Sequence, residues 1–186
     1  RHQAFGHCAV TLLRATKYRR VSMFSALACM AVAIYFEARA EPIVGQFAVA
    51  NVIMNRVWDE RYPDEICEVV KQGKLYSKPT GKVVINQCQF SFYCDGKPDN
   101  PEDMEAFQVA IEISKNIQAG VWYDPTEGST HYHNVSIAPV WAETKTRVVR
   151  IDNHIFYRWE ENKPDRSKNV NDSKSATWIL PSKSKT

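Results

Sequence analysis

No two of the five cysteines stand in C-x-x-C spacing, so the usual cysteine signature of a zinc site is missing. The apolar run over residues 23–34 is shorter than the roughly 20 residues a membrane-spanning helix needs. No internal repeat is visible, which excludes solenoid architectures. The net charge is only +3, too small an excess to argue for a nucleic-acid partner, although it suits approach to a polyanionic surface. No acidic cluster accompanies His131, His133 and His154, so a histidine metal site has no obvious completion and no metal or cofactor is expected.

What is present is ordinary globular material. A chain of 186 residues with 44% hydrophobic content can bury one core, as one domain with tails. Residues 1–22 read as an N-terminal extension or fragment, since the sequence begins with Arg1 and Met23 offers an alternative start. Lys17, Arg19 and Arg20, the apolar run and then Ala38-Arg39-Ala40 mimic a secretory signal with its cleavage site. Two features favour a buried helix instead. Bulky and charged residues, Tyr35-Phe36-Glu37, follow the run directly, and Phe24, Leu27, Ala28, Ala31, Ile34 and Ala38 recur at helical spacing.

Ser22 is the expected cap of that helix over residues 23–39. Glu41-Pro42 opens a second helix with an inner stripe of Phe47, Ala50, Ile53, Met54 and Val57, leaving Gln46 and Asn55 elsewhere on its surface. A short third helix is expected over residues 63–72 and a long loop over 73–100. A fourth helix follows, with Asn100 as cap, Pro101 in its first position, a stripe of Met104, Phe107, Ile111, Ser114 and Ile117, and Gly120 at its end. Residues 130–135 alternate as a strand, and 147–159 read as a hairpin turning at Asp152-Asn153. Residues 23–159 thus form the expected domain. From residue 160 the composition reads as a polar, disordered tail, with Trp178-Ile179-Leu180 as a small docking patch. Cys29, Cys67, Cys88 and Cys94 lie inside the domain and Cys8 outside it. Four cysteines allow three pairings, and Cys88 and Cys94 flank a loop that one bridge would close.

Glu37 ends an apolar helix beside aromatic residues. Loss of hydration there disfavours its charged form and raises its affinity for a proton, as a general acid for glycoside cleavage requires. Glu41, four residues on, would share a face with Glu37 in a continuous helix. Pro42 argues for a break, with Glu41 favouring the start of the next helix over direct catalysis. Arg39 is a candidate for orienting substrate, and Gln89 and Ser91 for recognising acetamido and hydroxyl groups. His131 and His133 share one face of the expected strand and Tyr132 the other, so one set lines the cleft.

The string Ile34-Tyr35-Phe36-Glu37-Ala38-Arg39-Ala40-Glu41-Pro42, with Gly45-Gln46-Phe47-Ala48-Val49-Ala50 and Val52-Ile53-Met54-Asn55-Arg56-Val57, resembles the SleB-type cell-wall hydrolases, the spore-cortex-lytic family also found in phages and other bacteria. The likeness continues in order through Tyr62-Pro63, Cys67, Cys88-Gln89-Phe90-Ser91-Phe92, Cys94-Asp95-Gly96, Thr130-His131-Tyr132-His133, Pro139-Val140-Trp141-Ala142 and Ile151-Asp152-Asn153-His154-Ile155-Phe156-Tyr157, covering roughly residues 27–158. One departure is Ala40, where the family usually has Gly after the arginine.

The resemblance implies an α+β, mainly α, lysozyme-like or lytic-transglycosylase-like domain with a small antiparallel β element. It implies cleavage of peptidoglycan glycan strands between N-acetylmuramic acid and N-acetylglucosamine, commonly by lytic transglycosylation, with the family's catalytic glutamate at Glu37. It implies a monomer working in the cell wall or periplasm, or a phage lysin reaching the wall through a holin. The alternatives are a hydrolytic muramidase or glucosaminidase, a non-catalytic glycan-binding module, and a Cys–His amidase using Cys88 or Cys94 with His131.

Overall fold

The computed structural model describes residues 23–76, 81–121 and 123–160. The expectations for residues 1–22, including Cys8 and the Ser22 cap, and for the tail beyond Glu160, including Trp178-Ile179-Leu180, lie outside the described residues.

Helix α1, Met23–Ala38, is built from Ala, Met, Leu and Ile, all tolerant of helical geometry. It stops because Pro42 disfavours a helical conformation at Glu41; the chain turns there through Arg39 N–H to Tyr35 O at 3.2 Å and Glu41 N–H to Ala38 O at 2.9 Å. Helix α2, Ile43–Val57, starts one residue later than the sequence suggests, with Pro42 at the cap position and its carbonyl accepting from Gly45 and Gln46. The Glu41 carboxylate bonds to Asn153, while the Gln46 amide reaches back to the Glu41 carbonyl at 3.1 Å.

The expected one-sided α2 is the main departure among the helices. Gln46, Asn51, Asn55 and Arg56 are as buried as Phe47 and Ile53, so α2 is the central helix, covered on all sides. Helix α3 is shorter than expected, Ile66–Val70, and Cys67 ties it to α1 through a disulfide with Cys29. Helix α4, Met104–Gln118, begins at Asp103, whose carboxylate accepts from Ala106 N–H at 3.0 Å, and not at Asn100-Pro101. Its buried face is Ala110, Ile113, Ser114 and Ile117, while Met104 is 65% exposed. Gly120 ends it at φ +69°, a conformation that costs glycine little. The main core gathers Met30, Ile34, Ala50, Ile53, Val69, Phe90 and Ile113 from all four helices and the loop after β2.

The loop expected over 73–100 contains structure. Strands β1, Gly73–Leu75, and β2, Val83–Cys88, pair antiparallel, and a 3₁₀ turn spans Ser91–Cys94. No residue of β2 is fully buried and half are exposed, so it carries no alternating apolar pattern to betray it. Gly73 faces Cys88, and a Cβ there would stand 2.6 Å from Val83. The second sheet has the order β3-β5-β4, with β3 His131–Asn134, β4 Thr146–Ile151 and β5 His154–Arg158. Its hairpin turns at Asp152 with φ 47°, at the expected Asp-Asn pair. Phe156 of the central strand is fully buried with Ala48 and Val52 of α2, which seats the sheet on the helices. Among the described residues no helix is long and apolar enough to cross a membrane.

Candidate active site

Glu37 lies in the last turn of α1, half-buried where α1, the loop after β2 and strand β3 meet. The Tyr132 hydroxyl on β3 donates to Glu37 Oε2 at 2.9 Å, and the Ser91 backbone N–H also bonds to the carboxylate. On the loop side Phe36 stacks on Phe92, ring centroids 5.1 Å apart. Burial raises the proton affinity of Glu37 above the ordinary carboxylate value; the Tyr132 hydroxyl, the positive charge of Arg56 and the Ser91 N–H pull the other way, and burial wins. Tyr132 is itself pushed well above the usual phenol range, first by burial and then by the neighbouring carboxylate, so it remains a donor. The result is a carboxyl group whose proton is retained to higher pH while three groups stand ready for its anion.

Arg56 received no role from the sequence, yet it joins the three elements around Glu37. It is 4% exposed. Its Nε donates to Thr130 O, just before β3, at 2.7 Å, and its guanidinium lies 5.3 Å from the Tyr62 ring and 5.4 Å from the Phe90 ring. Burial lowers its pKa, while Tyr62, Tyr132 and Glu37 oppose that shift. Beside it, the Asn55 amide donates to Asp124 at 2.8 Å and to Ser129 O at 3.0 Å. Asp124 in turn accepts from the backbone N–H groups of Thr126 and Gly128 at 2.8 and 2.7 Å. This network fixes the loop that delivers Tyr132. The available signal was the apolar run on every side of residues 47–54, which marks a fully buried helix whose polar residues must find partners inside.

The remaining candidates divide. Tyr132 faces Glu37, so by strand alternation His131 and His133 face the other way. His131 packs against Trp141 at 5.3 Å and is held neutral by burial and nearby cations, with its pKa pushed down to about 3. His133 is 7% exposed and stacks on Tyr157, whose hydroxyl meets its Nε2 at 2.9 Å. Both therefore pack on the face of the sheet opposite Glu37. Glu41 neither caps α2 nor reaches Glu37. Its carboxylate accepts from the backbone N–H and the side-chain amide of Asn153, both at 3.3 Å, pinning the β4–β5 turn. Gln89 and Ser91 are exposed; the backbone of Ser91, not its hydroxyl, meets Glu37. Among the described residues no three His, Cys, Asp or Glu side chains converge as metal ligands. Cys88 and Cys94 are bonded to each other, so neither is the free thiol a Cys–His amidase would need.

Arg39 is exposed, its guanidinium 4.8 Å from the Tyr35 ring. It lines a cavity of about 630 Å³ whose floor includes Phe36 and Phe92. Glu37 is not part of that lining, but both floor residues adjoin groups of the Glu37 site, Phe36 by sequence and Phe92 through Ser91.

A family model described as Cell Wall Hydrolase matches residues 40–157. The chain belongs to this cell wall hydrolase family. The family match begins three residues after Glu37, so it covers α2, the loops and both sheets. Among relatives of this cell wall hydrolase are the spore cortex-lytic enzyme of Halalkalibacterium halodurans, 31% identical over 128 residues that make up 68% of this chain and 33% of the relative, and that of Bacillus subtilis, 27% identical over 68% of this chain and 35% of the relative. The chain thus spans about a third of the length of these relatives. Among solved structures, the catalytic domain of the Bacillus cereus SleB protein aligns with TM-score 0.51 and 27% identity over 73% of this chain and 91% of that one. The catalytic domain of the germination-specific lytic transglycosylase SleB of Bacillus anthracis aligns with TM-score 0.52 and 29% identity over 72% and 93%. The lysozyme-like α+β fold implied by the sequence resemblance is the fold found.

Proposed function

We propose that this cell wall hydrolase cleaves the glycan strands of peptidoglycan by lytic transglycosylation, between N-acetylmuramic acid and N-acetylglucosamine, with Glu37 acting first as acid and then as base. The observation that carries the reading is the Glu37 carboxyl itself: half-buried, with raised proton affinity, and held by Tyr132 and Ser91.

In the first half of the reaction Glu37 gives its proton to the glycosidic oxygen, and the bond from that oxygen to the muramyl C1 breaks. The anion left on Glu37 is met by the Tyr132 hydroxyl, the Ser91 N–H and the field of Arg56. In the second half the muramyl 6-hydroxyl attacks C1 and returns its proton to Glu37. An anhydro ring forms, no water is consumed, and the carboxyl group ends as it began. This cycle needs one carboxylate, because the nucleophile belongs to the substrate. None of the groups acting on Glu37 is a second carboxylate, which favours this reading over a two-carboxylate hydrolysis. The site of action is the wall, on the outer side of the membrane.

Fragments released from purified wall, read by mass spectrometry, test this. Anhydro-muramic ends are expected, and reducing ends would mean a hydrolase. Glu37→Gln, which keeps the shape but holds no transferable acid proton, is expected to lower the rate by about 10²–10⁴-fold. A Glu37→Gln variant that still clears wall would remove Glu37 as the acid.

A further inference from the structure

The cavity over Phe92 carries more charge than a neutral sugar calls for. Arg39 and Lys97 bring two positive charges to its lining, and Asp95, Asp99 and Glu102 bring three negative ones. None of the five forms an ion pair; the pairs found among the described residues are Arg61–Asp59, Lys115–Glu112 and Arg158–Glu160. Asp95 and Asp99 line the cavity together, and Asp99 is held above the ordinary carboxylate value by burial and then by the like charge of Asp95. The edges are also fixed in place. The hydroxyl of Tyr35, a residue only 3% exposed, accepts from the backbone N–H groups of Glu102 and Asp103 at 3.1 and 3.0 Å, and Arg39 lies over the Tyr35 ring. Tyr35 therefore sets the spacing between the cationic and the anionic side.

A concave site with unpaired charges of both signs, on an aromatic floor, fits a ligand that carries both an ammonium and carboxylates. The glycan backbone carries no ammonium, and it carries a carboxylate only on lactyl groups from which the peptide has been removed. The short peptide borne on the lactyl group of a muramyl residue carries both, through its diamino acid and its free carboxyl groups. We propose that this cavity is a subsite for the muramyl peptide stem, with the stem ammonium between Asp95 and Asp99 and a stem carboxylate at Arg39 and Lys97. This deepens the proposed glycan cleavage and rests on it for the position of the strand. The stacked Phe36 and Phe92 line the cavity and adjoin the Glu37 site, Phe36 by sequence and Phe92 through Ser91, so a muramyl unit seated at Glu37 has its stem within reach of the cavity. The subsite makes stem-bearing strands better substrates than bare ones.

Two measurements on the full chain test it. The first is the ratio of kcat/KM on stem-bearing strands to that on strands stripped by an amidase. A ratio of about ten is expected for the wild type, the equivalent of one good polar contact. In Asp99→Asn and in Lys97→Ala the ratio falls toward one. The second is binding of a synthetic stem tripeptide, L-Ala-D-Glu-diaminopimelate, followed by NMR: saturable shifts in the wild type, weakened in both variants. A wild-type ratio of one with no tripeptide binding overturns the proposal, as does a variant that keeps the full ratio. Variants that slow cleavage of both strands equally would make this a neutral sugar subsite and also overturn it. A chain that binds the tripeptide but cleaves neither strand leaves the subsite standing and removes the glycan-cleavage reading instead.

Discussion

Tyr132→Phe isolates one bond of the site. The substitution deletes the hydroxyl that donates to Glu37 at 2.9 Å and leaves the ring, which packs 5.7 Å from Phe156 and 5.1 Å from His154, in place. A hydrogen bond to a charged group contributes about 1.5–3 kcal/mol. The hydroxyl favours the anionic form of Glu37, so its loss makes the carboxyl hold its proton more tightly. The acid form then persists to higher pH, and the alkaline limb of kcat/KM on purified wall moves up. At about 1.4 kcal/mol per unit, the shift is roughly 1–2 pH units. The rate below the limb also falls, because the anion left after proton donation has lost a donor. Turbidity clearance across pH measures both. An alkaline limb that stays put, or moves down, refutes the assignment of Glu37 as the titrating acid.

Arg56→Lys keeps the charge but loses the Nε bond to Thr130 O, and a cost of about 1–3 kcal/mol in stability is expected from thermal melting. Its alkaline limb should stay nearer the wild type than that of Arg56→Met, which removes the charge and shifts the limb upward. Replacing Cys29 and Cys67 together by Ser opens a bridge with a sequence separation of 38, and denaturant unfolding should show a loss of roughly 4 kcal/mol on the chain-entropy account. His131 has a pKa depressed to about 3 from 6.5, so its contribution to stability is present above pH 6.5 and is lost as pH falls toward 3. His131→Gln should therefore flatten the acid side of the stability profile, measured by melting temperature against pH.

The helices were legible because α1 and α4 pair an apolar face with a clear stop: Pro42 beyond the first and Gly120 after the second. The hairpin at Asp152 was legible because that turn needs a residue tolerant of positive φ. The β1–β2 pair was not, since a short exposed strand buries too little to enforce alternation. The α4 start was displaced because Asn100-Pro101 and Asp103 are equally good caps by type, and the choice fell to Asp103 when the Tyr35 hydroxyl took the N–H groups of Glu102 and Asp103.

By itself the sequence determined the chemistry on offer: an acid at position 37 on an apolar helix, in an ordered string of residues that resembles one family. Only the tertiary structure decided its surroundings. It turned Tyr132 toward Glu37 and the histidines away, sent Glu41 to Asn153, and buried Arg56 between three elements. The physical reason is range. Helix and turn preferences act over a few neighbouring residues, whereas the proton affinity of a carboxyl group depends on burial and on charges brought close from far along the chain. Tyr132 stands 95 residues from Glu37 in sequence and 2.9 Å from it in space.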